Sequence, residues 1–136
     1  MFTLYVALWY SQSTTYVEVW HRGDEMDALL KKYQPMTETA FYILYALTEP
    51  RHGYGIIKFI EEVTSGRLLL GSGTIYGTIS KMQKDGLIQH YSDEDRKTLY
   101  EITALGQQIL AQEIARIEEM YRLISQSKEE KGWKSS

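Results

Sequence analysis

Gly71-Ser72-Gly73-Thr74-Ile75-Tyr76-Gly77-Thr78-Ile79-Ser80-Lys81-Met82-Gln83-Lys84-Asp85-Gly86 sets two unlike faces along one helix. Ile75, Ile79 and Met82 fall at i, i+4 and i+7 and form an apolar stripe that requires burial. The other side starts with small or hydrogen-bonding residues (Ser72, Gly73, Thr74, Tyr76 and Gly77) and continues with Ser80, Lys81 and Lys84. Ser72 or Thr74 is the expected N-cap, and Gly86 suits the position just past the helix end. A helix packed on one side and small on the other can enter the major groove of DNA by its N-terminal end, because short side chains there let the backbone approach the base edges.

Alone, the stretch reads more readily as a capped helix start with no ligand, so its neighbours decide. A dinucleotide-binding G-x-G-x-x-G is excluded, since Tyr76 stands where the third glycine belongs. Upstream, Ile56, Phe59, Ile60 and Val63 give an amphipathic helix between a His52-Gly53-Tyr54-Gly55 turn and Ser65-Gly66, and Leu68 to Leu70 is expected as a small strand. Before that, Thr37 opens a helix carrying Phe41, Leu44, Tyr45 and Leu47 until Pro50 stops it. Asp24 to Lys32, acids leading and bases trailing, reads as a short helix ending near Pro35, with Leu29 and Leu30 free to join the core.

Downstream, Leu87–Tyr91 and Lys97–Ile102 are extended runs joined by Ser92-Asp93-Glu94-Asp95-Arg96, a hairpin with a charged tip. Arg96 and Lys97 can reach phosphate from that tip, against three adjacent acids. From Thr103, a cap, a long helix carries Leu105, Ile109, Ile114, Ile117, Tyr121 and Ile124 near one stripe. Such a stripe on a helix leaving a small domain needs a partner, most simply a second copy, with part of it alternatively covering the chain's own first helix. The fold class expected is mainly α (α+β), a winged helix-turn-helix with a long C-terminal dimerisation helix. The division is a 1–25 extension, a 26–103 winged helix-turn-helix DNA-binding domain, a 104–127 dimerisation helix and a 128–136 flexible tail.

Composition narrows the function. The 136 residues are 43% apolar, enough for one core. With no cysteine, disulfides, zinc-thiolate sites and thiol nucleophiles are excluded, and a reducing cytoplasm fits. Phe2 to Tyr10 and Phe41 to Leu47 fall short of the roughly 20 residues of a membrane span, and no Lys or Arg precedes Arg22 as a secretory leader would need. His21, His52 and His90 lie in unrelated segments, so no metal site or cofactor is expected, and no nucleophile with its base points to an enzyme. The net charge of -3 hides a local +3 from Arg67 to Lys84 (Arg67, Lys81 and Lys84, no carboxylate) and a local -2 from Glu101 to Ile124. The first of these segments suits phosphates, and the second faces elsewhere.

Four blocks then become specific together: Met36-Thr37-Glu38-Thr39-Ala40-Phe41-Tyr42-Ile43-Leu44, His52-Gly53-Tyr54-Gly55-Ile56, Gly73-Thr74-Ile75-Tyr76-Gly77, and Tyr100-Glu101-Ile102-Thr103 with Gly106. In this order and spacing, over about residues 26 to 124, the chain resembles the PadR family. The resemblance implies a DNA-binding repressor that dimerises through its C-terminal helix, binds double-stranded DNA and is relieved by small aromatic or drug-like ligands or by another signal. It supports Tyr54, at a helix start, as a donor to the DNA backbone. No inducer is named by any residue; Tyr42, Tyr45 and Tyr121 suit either a cavity between subunits or the core, and Trp133 is a poor pocket residue. The competing reading is a protein-interaction module that uses the same dimeric fold.

Residues 1 to about 25 lie outside the resemblance. Thr3 to Tyr10 and Thr15 to Trp20, separated by Ser11-Gln12-Ser13-Thr14, suggest a hairpin, while Met26 is where a family member can begin, with Arg22-Gly23-Asp24 encodable by a ribosome-binding purine run. Both readings stand at this point.

Overall fold

Thr37, His52 and Thr103 begin three helices by one device. In each, a side-chain acceptor takes the backbone N–H three residues on: Thr37 Oγ1 from Ala40 at 3.1 Å, His52 Nδ1 from Gly55 at 3.0 Å, and Thr103 Oγ1 from Gly106 at 3.0 Å. The computed structural model describes residues 16–132, with side-chain surroundings from residue 24 onward. Its elements are α1 (Tyr16–Tyr33), α2 (Glu38–Ala46), α3 (Gly53–Val63), α4 (Ser72–Lys84), β1 (Ile88–Glu94), β2 (Lys97–Ile102) and α5 (Ala104–Lys131). This is the winged helix fold: three helices α2 to α4, a two-stranded antiparallel wing, and a long C-terminal helix. None of the described helices is long and apolar enough to cross a membrane.

The core is where the apolar stripes meet. Ile43, Leu44 and Leu47 from α2 and its cap, Ile56 and Ile60 from α3, and Ile75, Ile79 and Met82 from α4 are all buried. Leu87, Ile88, Ile102, Ile109 and Leu110 complete it from the wing and α5. Each such side chain contributes on the order of 1.5–3 kcal/mol over its exposed state. Leu29 and Leu30 of α1 pack against this core from outside.

Glycine and backbone pairing fix the joints. Gly86, at φ +80°, ends α4 in a Schellman motif, with Gly86 N–H on Gln83 O at 3.0 Å and Leu87 N–H on Met82 O at 2.9 Å. The chain enters β1 at once. The β2–α5 junction is pinned by Ile102 N–H to Leu47 O at 2.7 Å and Thr103 N–H to Leu87 O at 2.9 Å.

Five expectations need correction. Thr15 to Trp20, read as a strand, is helical from Tyr16, because α1 is continuous with the Asp24–Lys32 helix; Thr3 to Tyr10 lies outside the described residues. Leu68 to Leu70 forms no strand, and the third partner of the wing is Arg51, whose N–H and C=O both pair with Tyr100 at 3.0 and 2.9 Å. The wing loop is two residues and not five: Glu94 pairs with Lys97, and Asp95 and Arg96 turn the chain at φ 50° and 65°. Helix α5 continues to Lys131, so residues 128–131 are helical where a flexible tail was expected, and Gly132 at φ 60° caps it. Finally, Ile109 belongs to the protomer's own core at 2% exposure and offers no surface to a second copy.

Candidate nucleic-acid interface

Helix α4 departs from the capping device of α2, α3 and α5. Its N-cap is Gly71, which makes no side-chain hydrogen bond, so neither Ser72 nor Thr74 caps it as expected. The first N–H groups of α4 are thus left for an outside acceptor, and the helix dipole favours an anionic one. Gly71, Ser72, Gly73, Thr74, Tyr76, Gly77 and Ser80 are exposed, while Ile75, Ile79 and Met82 are buried. Nothing lies within 4 Å of where a Cβ would stand on Gly71, Gly73 or Gly77, so this face is open.

Two other elements converge on the start of α4. The N-terminus of α3 brings His52 and Tyr54, whose rings lie parallel with centroids 6.3 Å apart, and Lys58 sits 5.6 Å above the Tyr54 ring. The wing brings Arg96, Lys97, Thr98 and Tyr100. With Tyr76 these residues line a cleft of about 290 Å³ between α3, α4 and the wing. Phenol hydroxyls, an imidazole, a guanidinium and an ammonium on one concave surface suit an anionic oxygen ligand.

The acids beside the wing are partly accounted for. His90 Nε2 lies 3.1 Å from an Asp93 carboxylate oxygen, and the hydrogen bonds from His90 and Thr98 hold the Asp93 carboxyl below its usual range. Arg67, counted above with the cations of this segment, is paired through its guanidinium with Glu38 of α2, at 3.3 Å for the longer of two contacts. The hydrogen bond to Glu38 is also the main reason its pKa is raised. The open cations on this part of the chain are therefore Lys81 and Lys84, with Arg96 and Lys97 on the wing.

Further along α4, Lys81 rides 5.3 Å above the Tyr33 ring of α1. Asp85, the C-cap, receives Lys32 at 2.9 Å and the Tyr33 hydroxyl at 2.5 Å. Sequence reasoning missed this group, because the partners are more than 50 residues apart along the chain.

It also missed Glu113, a 2% exposed carboxylate on α5. Glu113 accepts the Met36 N–H at 3.2 Å and the Arg116 Nε–H at 3.0 Å, tying α5 to the segment between α1 and α2. Its position four residues after Ile109, on the same helical face, was the available signal.

The expected interface residues of α5 divide. Leu105 and Ile114 pack partly on the core, and Ile117, Tyr121 and Ile124 are 38%, 69% and 50% exposed, joined by Met120 and Leu123. Ile114, Ile117 and Glu118 face Phe41 and Tyr45 of α2 across an apolar groove of about 330 Å³. Tyr45, offered as a cavity or core residue, lies on that groove and stacks on Phe59 with centroids 6.3 Å apart; Tyr42 packs edge-on against Phe41.

The comparisons agree with this architecture. The model of the transcriptional regulator PadR-like family matches residues 43–112, from α2 through α3, α4 and the wing into α5. The chain is 34% identical over 67 residues to the transcriptional regulator YqjI of Escherichia coli, covering 49% of this chain and 32% of that protein. It is 32% identical over 72 residues to an uncharacterized 37.1 kDa protein in transposon TN4556 of Streptomyces fradiae, covering 52% and 20%. The chain thus spans a third or less of the length of these curated relatives. Among solved structures, a transcriptional regulator from Clostridium thermocellum superposes with a TM-score of 0.57 at 29% identity, over 65% of this chain and 87% of that one. The matched family is one of transcriptional regulators and not of enzymes. With half of the chain inside the family model and the winged helix built around it, the protein belongs to the PadR-like family of transcriptional regulators.

Proposed function

We propose that the chain is a sequence-specific, DNA-binding transcriptional repressor that works in the cytoplasm, grips a pseudo-palindromic operator as a homodimer, and is released by a small aromatic or drug-like effector. The observation that carries this reading is the uncapped, open start of α4, flanked by His52 and Tyr54 at the start of α3 and by the cations of the wing. In the bound state α4 lies in the major groove, with Ser72, Gly73, Thr74 and Gly77 closest to the base edges and Tyr76 and Ser80 within reach of base or backbone. Tyr54, Lys81, Lys84, Arg96 and Lys97 meet phosphate and set the register. The half-exposed side of α5, Ile117, Tyr121 and Ile124, meets its counterpart in a second copy and holds two α4 helices about 34 Å apart, the pitch of successive major grooves. The apolar groove between α2 and α5 is the place for an aromatic effector beside that contact.

A binding selection from random duplexes, repeated on the gene's own upstream region, tests the reading. The expected product is a site with two inverted half-sites, bound with an affinity that falls steeply with salt. Thr74→Ala and Tyr76→Phe weaken operator binding and leave the dimer intact. Flat salt dependence with no retention on heparin would instead favour the protein-interaction module.

A further inference from the structure

The C-terminal end of α4 holds a carboxylate where the physics disfavours one. Asp85 caps the helix at its negative dipole end, four residues after Lys81. Left alone, Asp85 and Lys81 are one helical turn apart and of opposite charge, so they attract each other. The structure gives Asp85 other partners. Both of its oxygens lie 2.9 Å from the Lys32 ammonium, and the buried Tyr33 hydroxyl donates to one of them at 2.5 Å. Lys81 is displaced onto the face of the Tyr33 ring, 5.3 Å from its centroid. That contact leaves the ammonium charged and exposed to solvent.

We infer that Lys32 and Tyr33 of α1 are positioning residues for DNA binding: by occupying Asp85 they keep the Lys81 charge free to meet an operator phosphate. The inference rests on the DNA-binding reading above. It adds that α1, which enters no groove, sets part of the electrostatic strength of α4. The groups facing Asp85 are Lys32 and Tyr33 from α1 and Lys81 from its own helix. Burial pulls the Asp85 carboxyl up, and the Tyr33 and Lys32 hydrogen bonds, with the charges of Lys32 and Lys81, outweigh it, so the group stays ionised at neutral pH. Without Lys32, the remaining cation beside that ion is Lys81.

The test uses the full chain and a random-sequence duplex, with dissociation constants measured across a salt series. Lys81→Ala should lower the slope of log K against log salt by about 0.9, one phosphate contact. Lys32→Ala should lower it by a similar amount in the unaltered protein and by nothing in the Lys81→Ala background. Adding Asp85→Asn to Lys32→Ala should restore the slope, a rescue that loss of a direct Lys32–phosphate contact does not allow. Tyr33→Phe, which keeps the ring, should give a smaller loss of the same sign. Equal losses from Lys32→Ala in both backgrounds, or no change in slope, overturn the inference while leaving the DNA-binding reading in place. If the unaltered protein shows no salt-dependent duplex binding, the functional reading itself falls, and this inference with it.

Discussion

The ring of Tyr76 occupies the space that a side chain at residue 53 would take. A methyl group on Gly53 would stand 2.5 Å from the phenolic oxygen and 2.6 Å from Cζ. Tyr76 is half exposed on α4 and Gly53 is buried at the start of α3, so this contact sets where the hydroxyl lies. Gly53→Ala should push the ring outward at little cost to the fold, since the far end of a flexible side chain can move. Operator affinity should fall about tenfold, within the 1–3 kcal/mol that a well-placed contact supplies. Titration calorimetry against the selected operator, with thermal melting beside it, reads both quantities. Unchanged affinity would show that Tyr76 works from any rotamer.

Gly106 makes a tighter contact of another kind. A Cβ there would stand 2.1 Å from the Leu87 carbonyl oxygen, and that oxygen is held by the Thr103 N–H. Backbone has no rotamer to yield, so Gly106→Ala should strain the joint between wing and α5 and destabilise the fold by about 1–3 kcal/mol or more. Urea unfolding measures this as a lower midpoint. The destabilisation should exceed that of Gly53→Ala, although both glycines lie in the segments that resemble the family.

Periodicity revealed what a single helix decides for itself. The stripe of Ile75, Ile79 and Met82 is buried as expected, and Thr37 and Thr103 cap as their positions indicate. Contacts made between distant segments left weaker traces. The Arg67–Glu38 pair and the Asp85 cluster join residues 29 and 53 apart, and spacing rules do not reach that far. Ser72 and Thr74 were good N-cap residue types, yet the N-cap falls one position before Ser72, on Gly71, so neither side chain caps the helix. The stripe of α5 was legible as apolar, but where it passes from own core to exposed face depends on how far α2 reaches along it. The turn from Ile109, buried, to Ile117, 38% exposed, marks that limit.

That limit yields a contrast between two sets of substitutions on one helix. Tyr121→Glu with Ile124→Glu alters exposed positions, so it should leave the protomer folded while shifting a dimer to monomer in analytical ultracentrifugation. The footprint on the operator should shrink to one half-site. Ile109→Ala empties a core position instead and should cost about 2–5 kcal/mol of protomer stability. A double glutamate variant that stayed dimeric would move the interface away from the outer turns of α5.

The Asp85 group makes stability depend on acid in a direction that can be stated. Its carboxyl is lowered from an ordinary 3.8 because hydrogen bonds from Tyr33 and Lys32 and the nearby ammonium charges outweigh the opposing effect of burial. The folded chain thus binds this proton less readily than the unfolded chain does, and the carboxylate stabilises the fold fully at pH values above the ordinary pKa. As pH falls through that value toward the lowered one, the contribution is lost. The Tyr33 phenol is raised, by burial first and then by the hydrogen bond and charge of Asp85, so it supports the cluster throughout the neutral range. Melting temperatures between pH 6 and pH 3 should therefore drop less in Asp85→Asn than in the unaltered protein, while at pH 7 the variant should melt lower. Parallel curves for the two proteins would mean that the carboxylate at the end of α4 contributes nothing to holding α1 in place.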